Sequence, residues 1–412
     1  MFLIQITLFW FLLLITLFKE RMKMDLVRDF LRPFAWYAKI LKQSVDVRIR
    51  NFLGIVSKPR WLIFQTTSKC NLLCLMCNVG REYLMNPQIA DRDLTLEEIK
   101  KFLERDYDML KNVVEITFTG GEPFMRDDFG EMLEIFHGFF PNASFWIVTN
   151  GTLTTRIEEV VSRIVKIHRK IGISISIDGR EETHDKIRGI KGTYKKAVQT
   201  IKKMAILREK YPWLNITIGS VLLPLNIKDF PFIYKLSKDF NVDFTFQPLH
   251  LNPVFYKHPL NTQETLGKYL IGEEKLRKLK DFLEIYMQEI FSRYKLAAFP
   301  HLYYYDNMFR IVLGERCRTL NCFAGISAFH LGSNGDIYPC HILNKKMGNI
   351  REKSLKEIWR SEEAKNIRGE IAKRSCICWT VHEIYRSMEE NFIHLLIFSI
   401  RHVLKNKLNL RT

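Results

Sequence analysis

The chain has 412 residues, which is enough for two or three domains with buried cores. Apolar residues make up 47% of it and charged residues 26%, so a disordered, collagen-like or wholly membrane-embedded protein is excluded. The net charge of +18 favours contact with phosphates or anionic lipid.

The chain begins with an apolar run, residues 1–18, that is just long enough to cross a bilayer and is followed at once by basic residues. No basic segment precedes the run and no cleavage site of small residues follows it, so a cleaved secretory signal is not predicted. The positive-inside rule then predicts a membrane anchor with the body in the cytoplasm. The alternative is that translation starts at Met22 or Met24, which would remove the run.

Two further segments, residues 24–56 and 386–412, combine bulky apolar side chains with Lys and Arg. This composition is typical of amphipathic helices that lie on an anionic membrane surface. The alternative is that both segments dock on the protein's own surface. No nucleic-acid motif accompanies the basic residues, so a nucleic-acid partner is not predicted.

The eight cysteines fall into two separate groups. The first group is Cys70, Cys74 and Cys77. The second, near the carboxyl terminus, consists of Cys317, Cys322, Cys340, Cys376 and Cys378. Eight cysteines are too few for a disulfide scaffold, and grouped thiols in a chain without an export signal indicate two metal or iron–sulfur sites in a reducing compartment.

The first group has the spacing C-x3-C-x2-C directly after the strand-like segment WLIFQ. A loop of this length can hold three thiolates on one cubane cluster and leave its fourth iron without a protein ligand. A structural zinc site needs four protein ligands, and neither a histidine nor a fourth cysteine stands at a suitable local spacing. The pattern therefore favours an iron–sulfur cluster over zinc.

Between residues 61 and 253, short apolar segments alternate with amphipathic helical segments. The six strand-like segments read WLIFQ, VEITFTG, SFWIVTN, GISISID, NITIGSVLL and DFTFQPL. This alternation predicts an α/β fold of parallel βαβ units covered on both faces, with functional residues at the carboxyl ends of the strands.

Polar turns follow three of these strands. The second strand ends in the motif GGEP, which comprises Gly120, Gly121, Glu122 and Pro123. Glycines there allow a tight turn whose backbone groups can face a ligand. The third strand ends in a polar turn containing Asn150, and the fourth contains Ser176, with Asp178 at its carboxyl end and Arg188 ten residues further on.

Together, the cysteine loop, GGEP and the order of these turns resemble the radical S-adenosylmethionine (radical SAM) superfamily. The resemblance implies a partial (β/α)6 barrel of the TIM type and a 4Fe–4S cluster held by Cys70, Cys74 and Cys77. It also implies that S-adenosylmethionine binds the open iron of that cluster through its amine and carboxylate.

The same resemblance implies roles for the polar turns. GGEP would hold the methionine amino group, Asn150 would lie near the ribose contacts, and Ser176 and Arg188 would bind the ribose or the carboxylate. The alternative for Arg188 is a surface salt bridge with a glutamate at position 181 or 182. Met76 stands where the family commonly has an aromatic residue against the adenine, which leaves the packing of the base open.

The second cysteine group resembles the SPASM domain, or its shorter twitch form, in its C-x4-C-x12-G-x4-C spacing, its NGDIYPC hairpin and its GNI…SLKEIW helix start. The chain has too few cysteines for the two clusters of a full SPASM domain. The resemblance therefore implies one auxiliary 4Fe–4S cluster held by Cys317, Cys322, Cys340 and one of Cys376 or Cys378, with Cys378 favoured. A zinc site built from four of these cysteines is the alternative.

These features predict five segments. Residues 1–58 hold the apolar run and basic helices, 59–255 the barrel, 256–311 a helical connector, 312–385 a small α+β SPASM/twitch-like domain, and 386–412 a basic amphipathic helix. The connector contains the aromatic stretch HLYYYDNM, which either lines a substrate channel or, as we favour, packs under the second domain.

By resemblance, the protein is an enzyme that reductively cleaves S-adenosylmethionine to a 5′-deoxyadenosyl radical, which abstracts hydrogen from a substrate. A reductant such as a ferredoxin or a flavodoxin would supply the electron. The residues do not identify the substrate, although the character of both termini favours a hydrophobic or membrane-associated one. The alternatives are a peptide or protein maturase of the same superfamily and a non-catalytic iron–sulfur electron carrier or sensor. No catalytic residue is assigned.

Overall fold

The computed structural model describes residues 57–250, 272–313, 320–373, 378–391, 394–399 and 401. The predicted anchor in residues 1–18, the basic segment 24–56, Cys317 and Cys376 lie outside the described residues. No helix in the described part of the chain is long and apolar enough to cross a membrane.

The described strands form one sheet. In chain order they are β1 (Trp61–Gln65), β2 (Glu115–Thr119), β3 (Ser144–Thr149), β4 (Ile171–Ser176), β5 (Asn215–Leu222), β6 (Asp243–Pro248), β7 (Ala328–Leu331), β8 (Asp336–Tyr338) and β9 (Gly348–Asn349). Their order across the sheet is β6-β5-β4-β3-β2-β1-β7-β8-β9. Pairs from β6 to β7 are parallel, and β7–β8 and β8–β9 are antiparallel. Strands β1 to β6 are the six predicted from the sequence, and the α/β partial barrel is confirmed.

Helices connect these strands and follow the last one. They are α1 (Val79–Met85), α2 (Leu96–Leu110), α3 (Phe129–Phe139), α4 (Thr154–Ile164), α5 (Glu181–Arg188), α6 (Thr193–Lys210), α7 (Phe230–Asp239), α8 (Glu273–Tyr294), α9 (Phe299–Val312), α10 (Leu355–Arg360), α11 (Glu362–Ala372) and α12 (Val381–Glu390). Capping boxes fix the starts of two of them. Thr95 and Glu98 exchange side-chain to backbone hydrogen bonds at the start of α2, and Ser354 and Glu357 do so at the start of α10.

Strand side chains alternate between the helix layer and the barrel lumen. The helix-facing residues are large, apolar and fully buried, as in Ile116, Phe118, Phe145, Ile147 and Ile173. Four of the cavity-lining residues of β4 and β5 are small: Ser174, Ser176, Thr217 and Gly219. Branched side chains in layers fill the lumen of a full TIM barrel. Here the small residues leave a cavity of about 630 Å³.

Helix α12 spans the open side of the partial barrel, between β6 and β1. At its start, the Val381 N–H donates to Gln247 Oε1 on β6 at 3.1 Å. At its end, Glu390 Oε1 accepts from Arg60 Nη1, beside β1, at 3.1 Å. The predicted boundary between residues 385 and 386 falls inside this helix, so α12 joins the carboxyl-terminal part to the barrel. The division into five segments stays a prediction.

The aromatic stretch of the connector lies in α9. Tyr303, Tyr304 and Tyr305 are buried there, as the packing alternative predicts. The Tyr304 hydroxyl donates to the Trp379 carbonyl at 3.0 Å, and Trp379 Nε1 donates to the Tyr304 carbonyl at 2.8 Å. His301, at the start of the same stretch, does line the barrel cavity.

Candidate active site

Three cysteine thiols meet at one end of the barrel cavity. Cys70, Cys74 and Cys77 follow β1, and all three line the cavity. Cys70 and Cys74 are buried, and Cys77 is partly buried. The loop whose cysteines are predicted to bind the cluster therefore lies at the carboxyl end of the parallel strands and faces the lumen.

Helix α5 supports this loop from one side. The Leu73 N–H donates to the Arg188 carbonyl at 3.2 Å, and the Leu75 N–H donates to the Ile187 carbonyl at 2.8 Å. These two bonds satisfy carbonyls at the helix end, which have no partner within the helix. Gly189, with φ of 78°, follows, and a Cβ there would lie 2.3 Å from the Leu73 carbonyl oxygen.

The GGEP turn supports the loop from the other side. The Gly121 N–H donates to the Thr67 carbonyl at 2.8 Å, and the Glu122 N–H donates to the Lys69 carbonyl at 2.7 Å. A Cβ on Gly121 would lie 2.0 Å from the Lys69 carbonyl oxygen. These two N–H groups therefore hold the cysteine loop. They do not face a ligand, which differs from the prediction made from the sequence.

The three thiols of the loop are neutral unless they bind a metal. Burial raises the pKa of Cys70 and of Cys74, and it raises the pKa of Cys77 to about 12. Such thiols ionise only when a metal takes the proton's place. No three His, Cys, Asp or Glu side chains among the described residues converge on one ion. Three thiolates on one short loop can occupy separate corners of a four-iron cube.

Glu122 connects the GGEP turn to the end of β3. Its carboxylate accepts from Thr149 Oγ1 at 2.7 Å, from the Asn150 N–H at 2.8 Å and from the Phe124 N–H at 3.3 Å. The side chain is almost fully buried, and burial raises its pKa to about 7. A carboxyl group poised near neutrality thus borders the cavity beside the thiols.

Arg188 points from α5 to the cysteine loop. Its Nη2 lies 2.6 Å from Asp178 Oδ2, and its Nη1 donates to Cys74 Sγ at 3.9 Å. Asp178 is itself held by the Val221 N–H, at 2.9 Å from Oδ1. The partner of Arg188 is therefore buried Asp178, and not the glutamate at 181 or 182 that the alternative reading names. The guanidinium also lines the cavity.

Most other residues that the sequence analysis selected also reach the cavity. Gly120, Met76, Asn150 and Ser176 line it. Asn150 Nδ2 donates to Asn71 Oδ1 at 2.9 Å, which links β3 to the cysteine loop. Pro123 begins the short 3₁₀ turn Pro123–Met125 and is buried without lining the cavity.

The described cysteines of the second group lie near one another. Cys340 and Cys378 are buried, and Cys322 is partly buried. Burial raises the pKa of Cys340 well above its usual value, and the negative charges of Glu383, Cys322 and Cys378 raise it further. The loop segments that carry Cys322 and Cys378 thus converge on the hairpin β7–β8.

Family models match two parts of the chain. The model for the radical SAM superfamily matches residues 64–236, and the model for an iron–sulfur cluster-binding domain, SPASM, matches residues 322–380. The chain belongs to the radical SAM superfamily. This radical SAM protein is an enzyme with a carboxyl-terminal SPASM domain. The two domains imply that it binds a 4Fe–4S cluster with S-adenosylmethionine and an auxiliary cluster.

Known proteins similar to this radical SAM protein are named for different activities. It is 25% identical over 319 residues to the AdoMet-dependent heme synthase of Oleidesulfovibrio alaskensis, covering 74% of this chain and 75% of the relative. It is 24% identical over 369 residues to the sporulation killing factor maturation protein SkfB of Bacillus subtilis, covering 87% and 79%. The solved structure of native anSMEcpe with bound AdoMet matches with a TM-score of 0.54 and 20% identity, covering 83% of this chain and 100% of that one.

Sequence reasoning missed the polar face of α12. His382, Tyr385, Arg386 and Glu389 all line the cavity of this radical SAM barrel. Their spacing of three and four residues places them on one side of a helix, but it does not show that this side faces the cavity. The sequence instead predicts that residue 386 begins a basic amphipathic helix, 386–412.

Proposed function

We propose that this protein reductively cleaves S-adenosylmethionine and transfers the radical to a substrate held in the barrel cavity. The observation that carries the proposal is that Cys70, Cys74 and Cys77 share one cavity with the GGEP turn and with Arg188. When bound, a 4Fe–4S cluster supplies the electron that yields the 5′-deoxyadenosyl radical. An external donor such as a ferredoxin or a flavodoxin would supply that electron.

The residues around the cavity have distinct roles in this proposal. Glu122 and the turn at Gly120 and Gly121 hold the amino end of S-adenosylmethionine, with Pro123 shaping the turn. Asn150 and Ser176 bind the ribose, and Met76 packs against the adenine. Their positions on the cavity wall support these roles, except for Pro123, whose role is structural. The wall excludes water and stray hydrogen donors from the radical.

Arg188 has two roles in the proposal. Its Nη2 is committed to Asp178, and its Nη1 lies against the Cys74 sulfur. The Nε atom, which is buried, has no hydrogen-bond partner in the structure. The guanidinium thus orients Cys74 and keeps a donor for the carboxylate of S-adenosylmethionine, which extends the role implied by the resemblance.

The auxiliary cluster is assigned to Cys317, Cys322, Cys340 and Cys378, with Cys376 as the alternative to Cys378. The proximity of Cys322, Cys340 and Cys378 supports this assignment. Cys378 lies three residues before α12, whose polar face lines the barrel cavity. The auxiliary site is therefore connected to the substrate chamber through a short, buried stretch of chain.

The relatives support two substrate classes. The heme synthase of Oleidesulfovibrio alaskensis supports a heme-like molecule, which agrees with the expectation of a hydrophobic substrate. SkfB, a maturation protein, supports the second candidate, a peptide or protein maturase. Association with a membrane remains a proposal that depends on residues 1–18. A non-catalytic carrier has no need of a cavity that joins the thiols to the GGEP turn.

The test is anaerobic reconstitution of the full chain with iron and sulfide, followed by dithionite and S-adenosylmethionine. We expect 5′-deoxyadenosine from the wild-type protein and none from a Cys70→Ala, Cys74→Ala, Cys77→Ala variant. As a matched control, Cys322→Ala should lose only the iron of the auxiliary cluster and keep the electron paramagnetic resonance signal of the first. A wild-type protein that holds both clusters and forms no 5′-deoxyadenosine with cell extract would favour the carrier.

A further inference from the structure

The lumen-facing side of α12 is polar although it is enclosed by the barrel. His382, Tyr385, Arg386 and Glu389 form a stripe along this helix, and each lines the cavity. A helix that only closed a barrel would present apolar side chains, because buried polar groups cost free energy unless they have partners. A polar stripe on an internal cavity is what a polar ligand requires.

Arg386 is the charged group of this stripe with unused hydrogen-bonding capacity. The side chain is 5% exposed, and none of its three guanidinium nitrogens has a hydrogen-bond partner. Glu115 Oε1 lies 3.7 Å from its Nη2, and Glu383 Oε1 lies 3.8 Å from its Nη1. Both distances are longer than well-formed hydrogen bonds, so the two carboxylates attract Arg386 chiefly through charge. Burial raises the pKa of Glu115, and Arg386 opposes that shift.

The other groups of the stripe are neutral or nearly so. Burial lowers the pKa of His382 to about 3 and raises the pKa of Tyr385 well above its usual value. The Tyr385 hydroxyl lies 2.5 Å from His301 Nδ1. Burial raises the pKa of Glu389 to about 7. Arg386 is therefore the group of this face whose fork of donors matches a carboxylate.

The position of Arg386 fixes how a ligand would lie. Arg386 lies beside Glu115, the first residue of β2. The GGEP turn begins at Gly120, directly after the last residue of the same strand. Five residues of a strand span about 16 Å. A ligand that contacts Arg386 and reacts near the GGEP turn must therefore extend along most of the lumen.

The walls between these two points suit a broad, flat molecule. Trp61 and Trp146 are among the residues that line the cavity. On β4, Gly172 pairs with Trp146, and the indole ring covers it. Further along β4 and β5, the cavity is lined by the small residues Ser174, Thr217 and Gly219. Aromatic walls with a few fixed polar groups are typical of sites for small aromatic ligands.

We propose that Arg386 binds a carboxylate of a flat, heme-like substrate that lies along the lumen between α12 and the GGEP turn. This inference rests on the proposed function and names the substrate class of the same site. Arg386 anchors the far end of the molecule, and the reacting carbon lies at the end nearest to Cys70, Cys74 and Cys77.

The test uses the reconstituted full chain and two probes that share one porphyrin ring: hemin, which carries two carboxylates, and hemin dimethyl ester, in which both are uncharged methyl esters. Binding is followed by the Soret band and by quenching of tryptophan fluorescence. We expect the wild-type protein to bind one hemin per chain and to bind the ester more weakly. Arg386→Gln should weaken hemin binding about tenfold or more and leave ester binding unchanged, because a charge-assisted pair is lost.

Two further variants distinguish recognition from a structural role. Arg386→Lys keeps the charge without the fork, so it should bind hemin with intermediate affinity. Glu115→Gln removes a competing negative charge beside Arg386 and should tighten hemin binding, which loss of structure would not do. Arg163→Gln changes an exposed cation on α4, paired with Glu134, and should bind both probes like the wild type. Iron content and thermal melts verify folding of each variant.

The inference is overturned if Arg386→Gln binds hemin like the wild type, if the wild type does not distinguish hemin from its ester, or if it binds neither. Failure to bind either probe would favour the peptide maturase. Because binding needs no turnover, a protein that binds hemin through Arg386 but forms no 5′-deoxyadenosine would contradict the proposed function separately.

Discussion

Arg188 lies between a carboxylate and a sulfur that would ligate the cluster. Its Nη1 donates to Cys74 Sγ at 3.9 Å while Asp178 holds its Nη2. Hydrogen bonds and positive charge near the sulfurs raise the reduction potential of an iron–sulfur cluster, because the added electron is stabilised. We therefore expect Arg188→Gln to shift the midpoint potential of the first cluster to a more negative value.

The potential is measured by a redox titration monitored by electron paramagnetic resonance in the reconstituted full chain. Arg163→Gln, which changes an exposed arginine outside the cavity, is the control and should leave the potential unchanged. Arg188→Lys keeps the charge and should shift the potential less than Arg188→Gln does. Equal potentials in all four proteins would show that Arg188 does not act on the cluster.

Glu122 gives a pH dependence to the stability of the cluster-free protein. Burial raises its pKa to about 7, above its usual value of about 4.3 in an unfolded chain. The folded state then binds more protons than the unfolded state between these two values, so stability falls as pH rises through this window. The loss is on the order of 3 kcal/mol for a shift of this size.

Replacement by an isosteric amide removes this proton linkage. We expect Glu122→Gln to flatten the fall in stability between pH ~4.5 and ~7, measured by urea unfolding at several pH values. Glu389, whose pKa is also raised to about 7 by burial, remains in both proteins, so it cancels in the comparison. A wild-type protein and a variant with parallel pH profiles would contradict the prediction.

At this scale the sequence predicts residue types better than partners. The spacing of Cys70, Cys74 and Cys77 is sufficient to predict that the three thiols lie together, because all three are within eight consecutive residues. The partner of Arg188 could not be predicted. Asp178 lies before α5 and Arg188 at its last residue, and only the packing of α5 against the cysteine loop brings them to 2.6 Å.

The GGEP turn lies so close to the cysteine loop that position 121 has no room for a side chain. A Cβ at Gly121 would lie 2.0 Å from the Lys69 carbonyl oxygen, and backbone atoms cannot move aside as a flexible side chain can. We expect Gly121→Ala to displace the loop and to lower the iron bound by the first site. Iron content and the cluster absorbance of the reconstituted protein measure the effect.

A second glycine provides the control for this substitution. Gly138 lies in α3, and a Cβ there would meet no atom within 4 Å. Gly138→Ala should keep full iron content and stabilise the protein by up to about 1 kcal/mol, because alanine favours a helix. Full cluster loading in Gly121→Ala would show that the turn can move away from the loop.

Elements with a clear apolar pattern were predictable, and α12 was not. Strands β1 to β6 are short apolar runs between turns, which is the usual pattern for a parallel sheet covered by helices. Helix α12 has polar residues at 382, 385, 386 and 389, a pattern that normally indicates a solvent-facing side. The fold instead turns this side to the lumen, and no local signal in the sequence distinguishes an internal cavity from solvent.

The barrel and the carboxyl-terminal part form one continuous structure. Strand β7 pairs in parallel with β1, and β8 and β9 extend the same sheet. Trp359 Nε1 donates to the Ser57 carbonyl at 2.9 Å, and Asp106 Oδ1 accepts from the Leu355 N–H at 2.8 Å. The first strand of the barrel is therefore buried between β2 and the carboxyl-terminal hairpin.

This continuity predicts cooperative unfolding of the whole described structure. The ion pair between Glu390 and Arg60, at 3.1 Å, is buried at the junction of α12 and β1. Glu390→Ala leaves Arg60 without this partner, which we expect to cost about 3 kcal/mol. Urea unfolding is followed with tryptophan fluorescence and, by hydrogen exchange, at the amides of β4 and of β8. Both regions should lose the same stability in the variant, because they unfold together. If β8 alone were destabilised while β4 kept its wild-type protection, the two parts would be separate folding units.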